Sequence, residues 1–246
     1  MNHNDRYVWL DLLRGLSALA VCAGHLRAAM FLDYSALESA TSMGTDLFYF
    51  ATSLGHQAVM AFFVLSGFFV GGSILKNSDN FHFQDYLVAR LSRLWVVLLP
   101  ALIFTFFIDL YINAYHPSVM SGGHYPALSS GPVGEASSTW STLFSNIFFL
   151  QTIYAPVFGS NGPLWSLAFE FWYYMIFPLF MIAVGYIELS IARRLLALFV
   201  LLLIGGFVAP NVIELFPIWL FGVVVYLIYT KGDVIGSVVS NLKCIT

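Results

Sequence analysis

Arg14 and His25 stand inside one apolar run, LDLLRGLSALAVCAGH, where a charge is costly and is normally retained because it faces a cavity or a partner. Their separation on an α-helix amounts to three turns plus about 20°, with a rise of about 16.5 Å, so both share one face at different depths. Asp11 lies one turn before Arg14 and can pair with it. An imidazole titrates near operating pH and can take a proton from a hydroxyl. The competing account is an arginine snorkelling to the inner interface beside Asp11, with a histidine hydrogen-bonded between helices. In ARLSRLW, Arg90 and Arg93 fall at i, i+3 on one helical face, and two guanidiniums so placed can clamp phosphates. Ordinary positive-inside anchoring explains the pair equally well. In GPLWSLAFEFWYY a helix is expected from Pro163 or Leu164, which puts Ser166 and Glu170 at i, i+4 on one face. A buried carboxylate there needs a cation, a donor or a proton, or is a structural glutamate satisfied by a neighbouring Tyr or Trp. Asp109 either borders the same zone or sits at the interface in contact with water.

The elements that must position these residues are membrane helices. Only 9% of the 246 residues are charged and 59% are hydrophobic, against about 25% charged in soluble domains. Apolar runs long enough to span occupy 8–32, 57–75, 94–112, 164–187, 193–209 and 214–230. A shorter run, 141–154, is of the length more often re-entrant or interfacial. Lys76, Arg90, Arg93, Arg193, Arg194 and Lys231 mark the cytoplasmic side. Counting 141–154 as a crossing would carry Arg193 and Arg194 outside. The expectation is therefore all-α: a polytopic transmembrane helical bundle of six or seven spans plus a short re-entrant or interfacial helix, with six spans and both termini cytoplasmic favoured by charge. Residues 1–246 read as one membrane domain.

Net charge is −3 with no basic run longer than two residues, which excludes the footprint of a nucleic-acid binder. Cys22 and Cys244 supply neither a disulfide framework nor a metal-ligand spacing, so both are expected as free thiols and no metal is expected. The first apolar run lacks a small-residue cleavage site and should stay as a membrane helix. Loop 113–139, with His116 and His124, reads as an irregular external segment. Gly67 and Gly71 form a GxxxG pattern suited to close helix approach.

LDLLRGLSALAVCAGH, FFVLSGFFVGG, ARLSRLW and GPLWSLAFEFWYYMIFPL together resemble the membrane-bound acyltransferase 3 family, whose members acylate sugars of surface polysaccharides, lipo-oligosaccharides, antibiotics and related acceptors. The motifs occur in family order and cover residues 10 to about 180. The resemblance implies that Arg14 and His25 are essential and that Arg90 and Arg93 handle a coenzyme A donor. Ser166 and Glu170 match the polar positions of the family's GPLWSL segment, and Trp165 stands beside them in a supporting role. Two departures stand out. Met60 occupies the place where many members have an Asp before the FFV run, so any role of that Asp is either absent here or carried elsewhere, by His56 or Gln57. The family usually has about ten spans, so this chain matches the N-terminal part of the usual domain.

The mechanism implied starts from acyl-CoA, acetyl-CoA first among donors, held at the inner face by Arg90 and Arg93 with help from Arg14. His25 would act as general base on a hydroxyl of a carbohydrate or glycolipid acceptor, with Glu170 orienting the imidazole. Expected partners are thus acyl-CoA, the acceptor and the lipid bilayer, in a bacterial inner membrane. The alternatives are a small-solute or proton-coupled transporter, which also places Arg, His and Glu in a bundle, and an inactive truncated relative.

Overall fold

In a computed structural model, the structure describes residues 8–37, 42–117, 137–208 and 210–243. Nine α-helices are described: α1 (Val8–Met30), α2 (Met43–Thr52), α3 (Gly55–Ser66), α4 (Gly72–Lys76), α5 (Phe83–Tyr115), α6 (Trp140–Ile147), α7 (Trp165–Ala183), α8 (Ile191–Phe207) and α9 (Pro210–Lys243). No strand occurs among the described residues, and the only β-type pairing there is an isolated bridge between Gln151 and Ala155. The all-α membrane class read from composition is what the chain adopts.

Among the described residues, five helical stretches are long and apolar enough to cross a bilayer: Val8–Ala28, Met43–Lys76, Phe83–Tyr115, Gly162–Ala183 and Val212–Lys231. The expected crossing at 193–209 is α8, whose 17 residues rise about 25 Å and sit at the lower edge of spanning length. Two spans start ten or more residues before their apolar runs. The second begins at Met43, where the Ser42 side chain accepts from Thr45 N and caps the helix. The third begins at Phe83, so Arg90 and Arg93 lie two to three turns inside α5 rather than at its start. Backbone hydrogen bonding carries a helix through polar turns that an apolar window leaves out. The 141–154 run does not form a crossing: α6 has 8 residues, a rise of about 12 Å. Beyond it the backbone reverses through Phe149 at φ 59° and Thr152 at φ 68°. Cys22 is exposed and free. Cys244 and His124, with residues 118–136 of the expected external loop, lie outside the described residues.

The chain divides into two compact units, one comprising residues up to Ala61 with Gln84–Trp172, the other Phe62–Phe83 with the residues from Tyr173 on. In the first, α1 and the following α2 are pinned together at the Arg27 guanidinium, whose Cζ lies 5.2 Å from the Tyr49 ring centre. The Tyr49 hydroxyl donates to the Leu32 carbonyl at 2.8 Å. In the second unit, the turn Gly67–Gly71 is π-helical, and the glycine pattern does what its spacing implies. A Cβ on Gly67 would run into the Trp219 carbonyl, and one on Gly222 into the Val64 carbonyl. Glycine lets the two backbones touch there. Beside that crossing, Trp219 Nε1 donates to Ser66 Oγ at 3.1 Å, and Ser66 Oγ shares a 3.1 Å hydrogen bond with the Tyr174 hydroxyl, so the buried polar groups satisfy one another.

Candidate active site

The first unit holds every residue singled out for chemistry. On α1, Arg14 Nη1 bonds Asp11 Oδ1 at 3.2 Å; Arg14 is half-buried and Asp11 exposed, which is the pairing expected one helical turn apart. His25 is exposed. Because α1 is unbroken from Val8 to Met30, the guanidinium and the imidazole do lie along one edge of a single rod, about 16 Å apart along its axis.

Tyr86 of α5 is the meeting point of the second group. The Arg90 Cζ stands 5.5 Å from the Tyr86 ring centre, a cation over an aromatic face, and Glu170 of α7 lies within electrostatic reach of the same tyrosine. The structure therefore sets Arg90 against Tyr86, with Glu170 in the same neighbourhood on α7. Arg93 is exposed three residues further on. Among the described residues no hydrogen bond joins His25 to Glu170. Ser166 and Glu170 share α7 as their spacing implies, and the Ser166 hydroxyl donates to the Pro163 carbonyl at 3.0 Å within its own first turn. Trp165, the first residue of α7, stacks on His56 with ring centres 6.5 Å apart and faces the Phe169 ring edge-on at 5.0 Å.

What aims α7 is a set of buried polar side chains that act on backbone. The link 148–164 between α6 and α7 is irregular, so its carbonyls and N–H groups need partners. Asn146, fully buried, donates to the Thr142 and Pro156 carbonyls and accepts from Phe158 N. Gln151 donates to the Leu164 carbonyl at 3.0 Å. Trp95 and Trp172 donate to the Ile147 and Phe149 carbonyls, each at 3.0 Å. Asp109 fixes the last turn before GPLW: it accepts from Ser160 N at 2.9 Å and from Ser160 Oγ at 2.6 Å, while Asn161 donates to Thr105 Oγ1. Gly159 sits at φ +59°, and a Cβ on it would meet the Asp109 carboxylate, so glycine is required twice over. Asp109 is 2% exposed: of the two surroundings its sequence position allowed, the aqueous interface is not the one it occupies. A carboxylate within an apolar run was the available signal; that its partner is a loop serine could not be read from spacing.

Asp109→Ala removes both acceptors of Ser160, a residue that is itself exposed, at an expected cost of about 1 to 2 kcal/mol for the two part-buried hydrogen bonds lost. A lower unfolding temperature of the detergent-solubilised protein checks this, and Ser160→Ala should show about half of the effect. Among the described residues no group of three or more His, Cys, Asp or Glu could hold a metal ion.

A helical membrane protein with guanidinium, imidazole and carboxylate groups concentrated in one of its units is the class that fold and site define. The acyltransferase 3 family model, described as an acyltransferase domain, matches residues 7–235, and the chain belongs to that family. It is 32% identical over 145 residues to the putative peptidoglycan O-acetyltransferase YrhL of Bacillus subtilis (strain 168), a match covering 56% of this chain and 21% of that protein. It is 29% identical over 172 residues to the acyltransferase MdmB of Streptomyces mycarofaciens, covering 68% and 37%. It is 26% identical over 180 residues to the peptidoglycan O-acetyltransferase OatA of Listeria monocytogenes, covering 70% and 24%. The match thus spans between 21% and 37% of the length of these relatives. No solved structure matches significantly.

Proposed function

We propose that this chain is an integral membrane O-acyltransferase that moves an acyl group, acetyl in the simplest case, from acyl-CoA to a hydroxyl of a carbohydrate acceptor. The observation that carries the proposal is the single helix α1, with the Arg14 guanidinium and the His25 imidazole along one edge. Family membership and relatives named as O-acetyltransferases support it. Peptidoglycan, named for two of those relatives, is the first acceptor to try.

In the proposed reaction the acceptor oxygen attacks the thioester carbonyl while His25 takes the hydroxyl proton. The tetrahedral intermediate collapses, the carbon–sulfur bond breaks, and the departing thiolate recovers that proton from the imidazolium to leave as free coenzyme A. Arg90 and Arg93 hold the donor phosphates, since guanidiniums suit anionic oxygens in pairs. Arg14, tied by Asp11, keeps a positive charge further along the same path. Glu170 orients the imidazole in the reacting complex, where catalytic hydrogen bonds tighten, and its nearness to Tyr86 couples it to the donor end. The inner membrane is the proposed location, with donor bound from the cytoplasm and acceptor presented on the other side.

The test uses the 246-residue chain in inner-membrane vesicles with acetyl-CoA and a soluble peptidoglycan fragment. Release of coenzyme A thiol should depend on the glycan, and the glycan should gain one acetyl group by mass. Thiol release without glycan, or none at all, overturns the reading. Arg90→Ala should raise the KM for acetyl-CoA about tenfold or more, the worth of a charge-assisted phosphate contact.

A further inference from the structure

His56 has no step in the proposed reaction, yet it follows Gly55, which packs against the helix turn that carries His25. A Cβ on Gly24 would lie 3.2 Å from the Thr52 carbonyl and 3.5 Å from Gly55 Cα, and one on Gly55 would lie 3.6 Å from the Ala20 carbonyl and 3.7 Å from Val21 Cα. As α1 is followed backwards from Gly24 to Ala20, the partner segment advances from Thr52, the end of α2, to Gly55, the start of α3, so α1 and the α2–α3 junction run antiparallel through this contact. In an antiparallel pair, the residue after each facing position is rotated by about 100° towards the same side. His25 and His56 are those residues. Both are exposed, and the side they share is bounded by the indole of Trp165, tilted 27° to the His56 ring. Phe169 meets that indole edge to face, with ring centres 5.0 Å apart.

Two imidazoles and an indole suit a sugar. A hydroxyl both donates and accepts, as a neutral imidazole does, and the apolar C–H face of a pyranose packs on a flat aromatic ring. We propose that His56 is a substrate-binding residue of the acceptor side, hydrogen-bonding a hydroxyl of the sugar ring while Trp165 covers the ring's apolar face. The assignment rests on the O-acyltransferase reading for the reaction, but its binding part is tested separately.

With the chain in membrane vesicles, carbethoxylation of each histidine by diethyl pyrocarbonate is followed by mass spectrometry, with and without N-acetylchitotetraose. The glycan should slow modification of His56 and His25 several-fold and leave His82 unchanged. Protection of His25 without His56, or equal rates everywhere, overturns the proposal. Kinetics give a second check. His56→Phe keeps a ring against Trp165 and deletes the hydrogen bond, so the acceptor KM should rise about tenfold at an unchanged KM for acetyl-CoA; His56→Gln should recover part of it. An unchanged acceptor KM in His56→Phe also overturns the assignment. If the unaltered chain transfers no acetyl group, the O-acyltransferase reading falls, and the protection pattern alone decides whether His56 binds sugar.

Discussion

Replacing His25 by alanine is expected to lower glycan-dependent release of coenzyme A by about a thousandfold, within the range that general-base catalysis supplies. The same change should leave stability within about 0.5 kcal/mol, because exposed side chains away from caps and networks contribute little. His25 is exposed on α1, so folding and chemistry separate cleanly at this position. The assay is the rate of thiol release at saturating acetyl-CoA, read beside the unfolding temperature of the same preparation. A rate equal to the unaltered chain's would take His25 out of the mechanism, and Asp109→Ala supplies the contrast. That change should lower stability first and activity only through it, since Asp109 acts on Ser160 of the loop that aims α7.

The largest structural effect is expected at the glycine crossing. Gly222→Leu must place a side chain where Val64 carbonyl oxygen and Phe68 backbone already stand, and no rotamer choice moves a backbone. Overpacking of this kind costs about 3 kcal/mol or more, and in a membrane, close backbone approach is a main source of helix association. The variant should give little monodisperse protein on size-exclusion chromatography after solubilisation. Gly15→Ala is the control. A Cβ there meets nothing within 4 Å, and a helical Gly→Ala exchange stabilises by about 0.5 to 1 kcal/mol. Normal recovery of Gly222→Leu would show that the contact carries no weight.

Much of this was legible in the residues alone because helix geometry is local. The spacing of Arg14 and His25, of Asp11 and Arg14, and of Ser166 and Glu170 converts to shared faces by a fixed angle per residue, and the structure keeps all three on single helices. The glycine pattern at Gly67 and Gly71 announced a close crossing. The apolar runs located the membrane helices but not their ends. Capping by Ser42 and the polar first turns of α5 extend two of them well beyond the apolar windows, since a helix is held by backbone hydrogen bonds that polar side chains do not interrupt.

The amino-acid sequence by itself determined that the chain is a helical membrane protein, and which residues of each helix share an edge. Only the tertiary structure decided which side chains meet: that Asp109 holds Ser160, that the Arg90 guanidinium lies over the Tyr86 ring, and that His56 stacks on Trp165. Position within one helix follows from a repeat that every residue obeys. Contact between helices depends on where small residues let backbones close and on which buried polar group finds its partner across a long stretch of chain.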